Sequence, residues 1–141
     1  MVSIDATYTG DLHCTATHEP SGIQLTTDAP EDNHGRGASF SPTDLVATGL
    51  GTCVVTILGI QAEKHGLDLD GTEVHIEKEM ASDPRRIDTI RVAVTMPAAL
   101  DERTRKRLEQ AARHCQVHHS LHPEVDVPIT FHWPERTDAS A

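Results

Sequence analysis

One segment dominates the chain: "SFSPTDLVATGLGTCVVTILGIQAEKHG", residues 39–66. It opens with a strong helix start. Ser41 reads as the N-cap, Pro42 suits the first helical position, and Asp44 takes the capping-box position while favouring the positive helix end. Gly66 is a natural stop, with Lys64 and His65 in the last turn. Between these ends Val46, Leu50, Cys53, Ile57 and Ile60 fall at steps of four and three, one helical stripe with Cys53 at its centre. Leu45, Val54, Val55 and Leu58 widen the apolar surface beyond that stripe. A helix apolar nearly all round has to be buried on most sides, so the rest of the chain must be built around it. The apolar run at 45–60 is too short, and too interrupted by Thr and Gly, for a bilayer span.

The flanking sequence supplies strands. "VSIDATYT" (2–9) and "DLHCTATH" (11–18) alternate around Gly10-Asp11, a hairpin signal, and "GIQLTTD" (22–28) is a third short strand. "APEDNHGRGASFS" (29–41) is a loop dense in Gly, Pro, Asn and Asp, long enough to suspect of function. After the central helix, "TEVHIEKEM" and "RIDTIRVAVTMP" alternate on either side of Ser82-Asp83-Pro84, a second hairpin. "LDERTRKRLEQAARHC" is an amphipathic helix starting near Asp101, with Leu108, Ala111, Ala112 and Cys115 on its inner face. "QVHHSLHP" makes a turn or one short helical segment, and "VPITFHW" a last strand. This order predicts an α+β class: N-terminal antiparallel strands, a long buried helix carrying Cys53, a hairpin, a second helix carrying Cys115, and a final strand. At 141 residues it fits one domain, 1–134, followed by a disordered tail, 135–141.

Composition narrows the function. Only 3% of residues are aromatic, so the core must be aliphatic, and extra burial in a dimer is expected. The 12 basic residues are scattered among 22 acidic ones, which argues against nucleic acid and anionic membranes as partners. "MVSIDATYTG" has neither a basic start nor an apolar core, so no secretory signal is expected and the setting reads as cytoplasmic. In a reducing compartment Cys14, Cys53 and Cys115 form no structural disulfide framework.

Cys53 and Cys115 both fall on inward helix faces, and the residues alone leave two readings open. Free cysteine is a common core filler. Yet the small residues Gly49, Gly51 and Thr52 around Cys53 leave space where a pure core would prefer bulk, and Cys115 precedes a histidine-rich turn that could move its proton. Cys14, on an edge hairpin, looks incidental. In "HCQVHHSLH" the pairs His114/His118 and His118/His122 are spaced four apart, a spacing that suits zinc, with Cys115 as a third ligand. Pro123 and the absence of a Cys-x-x-Cys or His-Glu-x-x-His pattern favour a polar loop instead, and neither a metal nor a cofactor is expected.

"SPTDLVATGLGTC", "RRIDTIRVAV" and "LEQAARHCQVHHSL" together resemble the OsmC/Ohr family, the osmotically inducible and organic hydroperoxide resistance proteins. The resemblance covers nearly the whole chain, and the loop "APEDNHGRGASFSPTDL" is similar to a less characterised branch. It implies an intertwined homodimer with active sites at the interface. It further implies that Cys53 is the peroxidatic cysteine and Cys115, 62 positions on, the resolving one, forming a Cys53–Cys115 disulfide in turnover. The activity implied is thiol-dependent reduction of organic hydroperoxides to alcohols, with an external dithiol or thioredoxin-like reductant as the other partner. The alternative is an OsmC-like small-ligand-binding protein with little turnover.

A buried thiol needs a nearby cation to ionise. By the resemblance this is Arg36, with Asp44 in support; Arg85 and Arg86 are substitutes. In an unbroken helix Asp44 lies about 180° from Cys53. It can therefore act by orienting Arg36 from the helix start, or through a bend at Gly49 and Gly51. Two positions depart from the family pattern: Thr43 stands where its glutamate often falls, and Gln116 where proline usually follows the second cysteine.

Overall fold

The computed structural model describes residues 1–135 and has the expected α+β class. The tail expected at 135–141 lies outside the described residues from 136 on. The chain forms two compact units, residues 1–46 and 47 onward.

In the first unit, β1 (Ile4–Gly10), β2 (His13–His18) and β3 (Gln24–Asp28) form an antiparallel sheet in that order. Register sorts its faces. Ala6, Ala16 and Leu25 align on one, while Thr7, Thr15 and Thr26 align on the other. The apolar face is left open, with Ile4, Tyr8 and Leu25 exposed. Beyond β3 the 29–40 loop turns through a short 3₁₀ segment, Glu31–Asn33.

The helix α1 (Pro42–Lys64) then runs 23 residues, about 34 Å at 1.5 Å per residue. Its start is the expected capping box: Ser41 Oγ accepts from the Asp44 amide (3.1 Å), and Asp44 Oδ2 accepts from the Ser41 amide (2.9 Å). Its end is a Schellman stop. Gly66 takes φ +64°, and the Leu67 amide reaches back to the Ala62 carbonyl at 2.8 Å. By length and composition alone the 23-residue helix could cross a membrane. One of its faces packs in a protein core.

That core belongs to the second unit. β4 (Glu73–Ala81) pairs antiparallel with β5 (Arg86–Thr95), and β6 (Ile129–His132) adds in parallel on the other side of β5. The inner face of this sheet is built in rungs, Ile76–Val92–Ile129 and Val74–Val94–Phe131. Leu50, Val54 and Leu58 of α1 join them in one cluster with Leu108 and Ala112 of α2 (Glu102–Arg113). The packing phase of α1 differs from the expected one. Ala47, Leu50, Gly51, Val54, Leu58 and Ala62 are buried, whereas Val46 and Ile60 are exposed. Apolar groups surround this helix, so its periodicity carries little information about which side faces in.

Gly51 is also not the spacer it suggested. A Cβ there would sit 2.2 Å from Ile76 Cδ1, so the glycine lets the β4 side chain pack directly on the helix backbone. Asp101 caps α2 by accepting from the Thr104 amide at 2.9 Å. The second helix ends at Arg113, so Cys115 lies just beyond it, as the N-cap of the short α3 (Gln116–Ser120).

Candidate functional site

Two of the sequence-selected residues meet inside the second unit. Cys53 sits mid-helix on α1, half-buried and packed against the core, and Cys115 is fully buried in that core. Cys53 packs against the cluster that holds Cys115, and the two thiols are close enough to affect each other's protons. Burial raises the Cys115 pKa above its ordinary 9.0, because an apolar surround disfavours thiolate; the Cys53 thiol adds to this, while the His118 and Val117 amides oppose it. The His118 amide donates to Cys115 Sγ at 3.3 Å, which fixes that sulfur at the head of α3. The pair can exist as two thiols side by side, the arrangement that sulfenate condensation needs.

The histidines around Cys115 form no ligand set. His118 Nδ1 lies 3.2 Å from the Arg113 carbonyl, His114 stacks on His119 at 5.9 Å between ring centroids, and His122 Nδ1 accepts from the Glu124 amide at 3.1 Å. Among the described residues no group of three or more His, Cys, Asp or Glu could hold a metal ion.

Arg36 and Asp44 belong to the first unit. Arg36 stands in the 29–40 loop with its amide donating to Asp28 Oδ2 at 3.2 Å. Asp44 has one carboxylate oxygen engaged in the capping box, and α1 is continuous through Gly49 and Gly51. Of the substitute cations, Arg86 donates to the Ile87 carbonyl at 2.8 Å and lies 3.7 Å from Glu124, so it serves the hairpin and its neighbour.

Two residues escaped the sequence reading. Asp28 is buried at the end of β3 and His13 faces it across the sheet, Nε2 to Oδ1 at 3.7 Å. The signal was strand register, which pairs positions 13 and 28.

The family model for OsmC-like proteins matches residues 34–130, a span that contains all three α-helices and both sulfurs of the pair. The chain belongs to the OsmC-like family. A solved structure of a "putative osmotic stress induced and detoxification response protein" from Psychrobacter arcticus is 42% identical, with a TM-score of 0.90 over 94% of this chain and 96% of that one. An organic hydroperoxide resistance protein OsmC from Legionella pneumophila shares the fold at 18% identity, with a TM-score of 0.73 over 94% of this chain and 96% of its own. The organic hydroperoxide resistance protein OhrB of Bacillus subtilis does so too, at 18% identity and a TM-score of 0.69 over 93% and 97%. Among curated proteins, none matches this OsmC-like chain by sequence.

Proposed function

We propose that this OsmC-like protein is a cysteine-based peroxidase that reduces organic hydroperoxides. The observation that carries the reading is the contact between the Cys53 and Cys115 thiols in the core of the second unit. Family membership and the hydroperoxide resistance proteins that share the fold support a redox, peroxide-related role.

The Cys53 thiolate attacks the distal oxygen of R–OOH. The O–O bond breaks, and the departing alkoxide takes a proton to leave as R–OH, with Cys53 as sulfenic acid. The Cys115 thiol then displaces water from that sulfur to give the disulfide. An external dithiol or thioredoxin-like donor supplies two electrons and two protons to restore both thiols. Burial raises the Cys115 pKa, so this thiol has to give up its proton as it attacks the sulfenic acid. Arg36 supplies the cation that holds Cys53 as thiolate, and Asp44 orients Arg36 from the helix start. The working form is a homodimer in the cytoplasm. The exposed apolar residues Ile4, Tyr8 and Leu25 of the first sheet, with Val46 and Ile60 of α1, favour a second copy as cover.

The test is turnover of cumene or tert-butyl hydroperoxide with a dithiol. The wild type is expected to turn over, Cys53→Ser to fall to background, and Cys115→Ser to stall after one equivalent with Cys53 as sulfenic acid. A wild type no faster than Cys53→Ser, with both thiols still free after peroxide and a small molecule retained on purification, replaces this reading by the binding protein.

A further inference from the structure

We infer that Asp28 is a positioning residue for Arg36, gripping the 29–40 loop from within and fixing where that arginine leaves the backbone. The inference rests on the proposed role of Arg36.

Asp28 ends β3, and its side chain is wholly withdrawn from solvent. Oδ2 accepts from two loop amides, Arg36 at 3.2 Å and Ala38 at 3.0 Å. The Asp28 amide itself donates to the Phe40 carbonyl at 3.1 Å, and Ser39 Oγ donates to the Thr26 carbonyl at 2.6 Å. The loop thus leaves the strand and returns to it around one carboxylate. Its inside is tight: a Cβ on Gly35 would sit 1.7 Å from the Ala29 carbonyl oxygen, and Gly37 takes φ +63°. Arg36 is held between these two glycines, positions that admit no larger residue without rearrangement.

The second oxygen explains the partner across the sheet. Among the described residues Asp28 Oδ1 is a buried side-chain oxygen without a hydrogen bond, and it faces His13 Nε2. His13 Nδ1 lies 2.7 Å from the Asp11 carbonyl, which can only accept, so Nδ1 carries the hydrogen of the neutral ring. The Ala38 amide, then His13 and the Arg36 and Ala29 amides, hold the Asp28 carboxyl below its ordinary pKa, against burial. Nothing in this cluster touches a reacting atom; its effect is on the geometry of the loop.

The experiment measures iodoacetamide modification of Cys53 against pH, read by peptide mass, in the wild type, Asp28→Asn, Asp28→Glu, Arg36→Gln and the Asp28→Asn/Arg36→Gln double variant. Amide exchange at residues 34–40 is followed in parallel. Asp28→Asn is expected to open the loop amides and slow Cys53 modification about tenfold at neutral pH, the effect of one pKa unit. Its profile should move to higher pH as far as that of Arg36→Gln, and the double variant should move no further. Asp28→Glu keeps the charge and covers the case in which Asn prevents folding, with a smaller shift in the same direction. If Asp28→Asn or Asp28→Glu opens the loop yet leaves the Cys53 profile in place, Asp28 is a structural residue only and the inference is overturned. An Arg36→Gln variant that also leaves it in place overturns the inference with the role of Arg36. Matched shifts in a protein without hydroperoxide turnover would retain the inference and remove the peroxidase reading alone.

Discussion

In the N-terminal unit the buried side chains are Thr27, Asp28 and Ser41, all polar, whereas the second unit buries Leu50, Val54, Leu58, Ile90, Val92, Val94 and Leu108. The two regions are therefore specified by different physics. Apolar burial is non-directional and graded, so the second unit is defined by volume. The first is defined by hydrogen bonds aimed at particular atoms, where loss of one acceptor orphans several amides together. Arg36 sits in the directional region and the sulfur pair in the volumetric one. A candidate chemistry that draws on both is exposed to two kinds of damage.

Mutations can break this contrast, the largest effect first. Leu50→Ala should cost about 2–5 kcal/mol in denaturant unfolding, since Leu50 is fully buried in a packed cluster. A loss below 1 kcal/mol would mean that the core collapses into the gap (roughly the lower edge of what such cavities cost). Gly51→Ala should cost about 1–3 kcal/mol in thermal melts, because the new methyl lands on Ile76. A smaller cost in Gly51→Ala/Ile76→Ala than the two singles added together would tie the effect to that contact. Ser41→Ala should cost about 1 kcal/mol and speed exchange of the Asp44 amide, which loses its acceptor. Ile4→Ser should change the unfolding of a single chain by no more than about 0.5 kcal/mol. It should instead raise the concentration at which the proposed dimer forms, measured by analytical ultracentrifugation.

Acid and base sharpen the same contrast. The Asp28 carboxyl is held below its ordinary 3.8, so its contribution is complete above 3.8 and is lost as pH falls through the lower folded value. Exchange at the Arg36 and Ala38 amides should rise in that acid window, with no such step in Asp28→Asn. Cys115 behaves in the opposite sense. Its pKa is raised above 9.0, so folding keeps a proton that the unfolded chain releases, and stability declines as pH rises past 9.0. Cys115→Ser should remove that alkaline slope.

Local chemistry was readable from sequence wherever cause and effect lie a few residues apart. Ser41 and Asp44 form the capping box that their spacing predicted, Gly66 stops the helix, and Asp101 caps α2. Only the family resemblance paired Cys53 with Cys115; their places on two helical patterns left core filler and reactive thiol both open, and Cys115 lies just beyond α2 rather than on it. Three features needed the third dimension. The face α1 turns inward was hidden because that helix is apolar nearly all round. Gly51 was read as free space, although Ile76 fills it from a strand 25 positions away. Asp28 looked like an ordinary strand-end residue, since its clasp depends on a loop folding back and on register with His13.

Because Cys115 caps α3 through its own sulfur, the choice of replacement at this position decides what an experiment reports. Serine retains an acceptor for the His118 amide and removes only the redox chemistry. Alanine removes both, so a slow Cys115→Ala protein would confound a lost electron route with a frayed helix start. The same bond bears on the wild type, because each catalytic cycle would convert that acceptor from a thiol to a disulfide sulfur and back. The backbone at 115–118 therefore offers a local reporter of oxidation state, readable at the His118 amide without any probe on the sulfurs themselves.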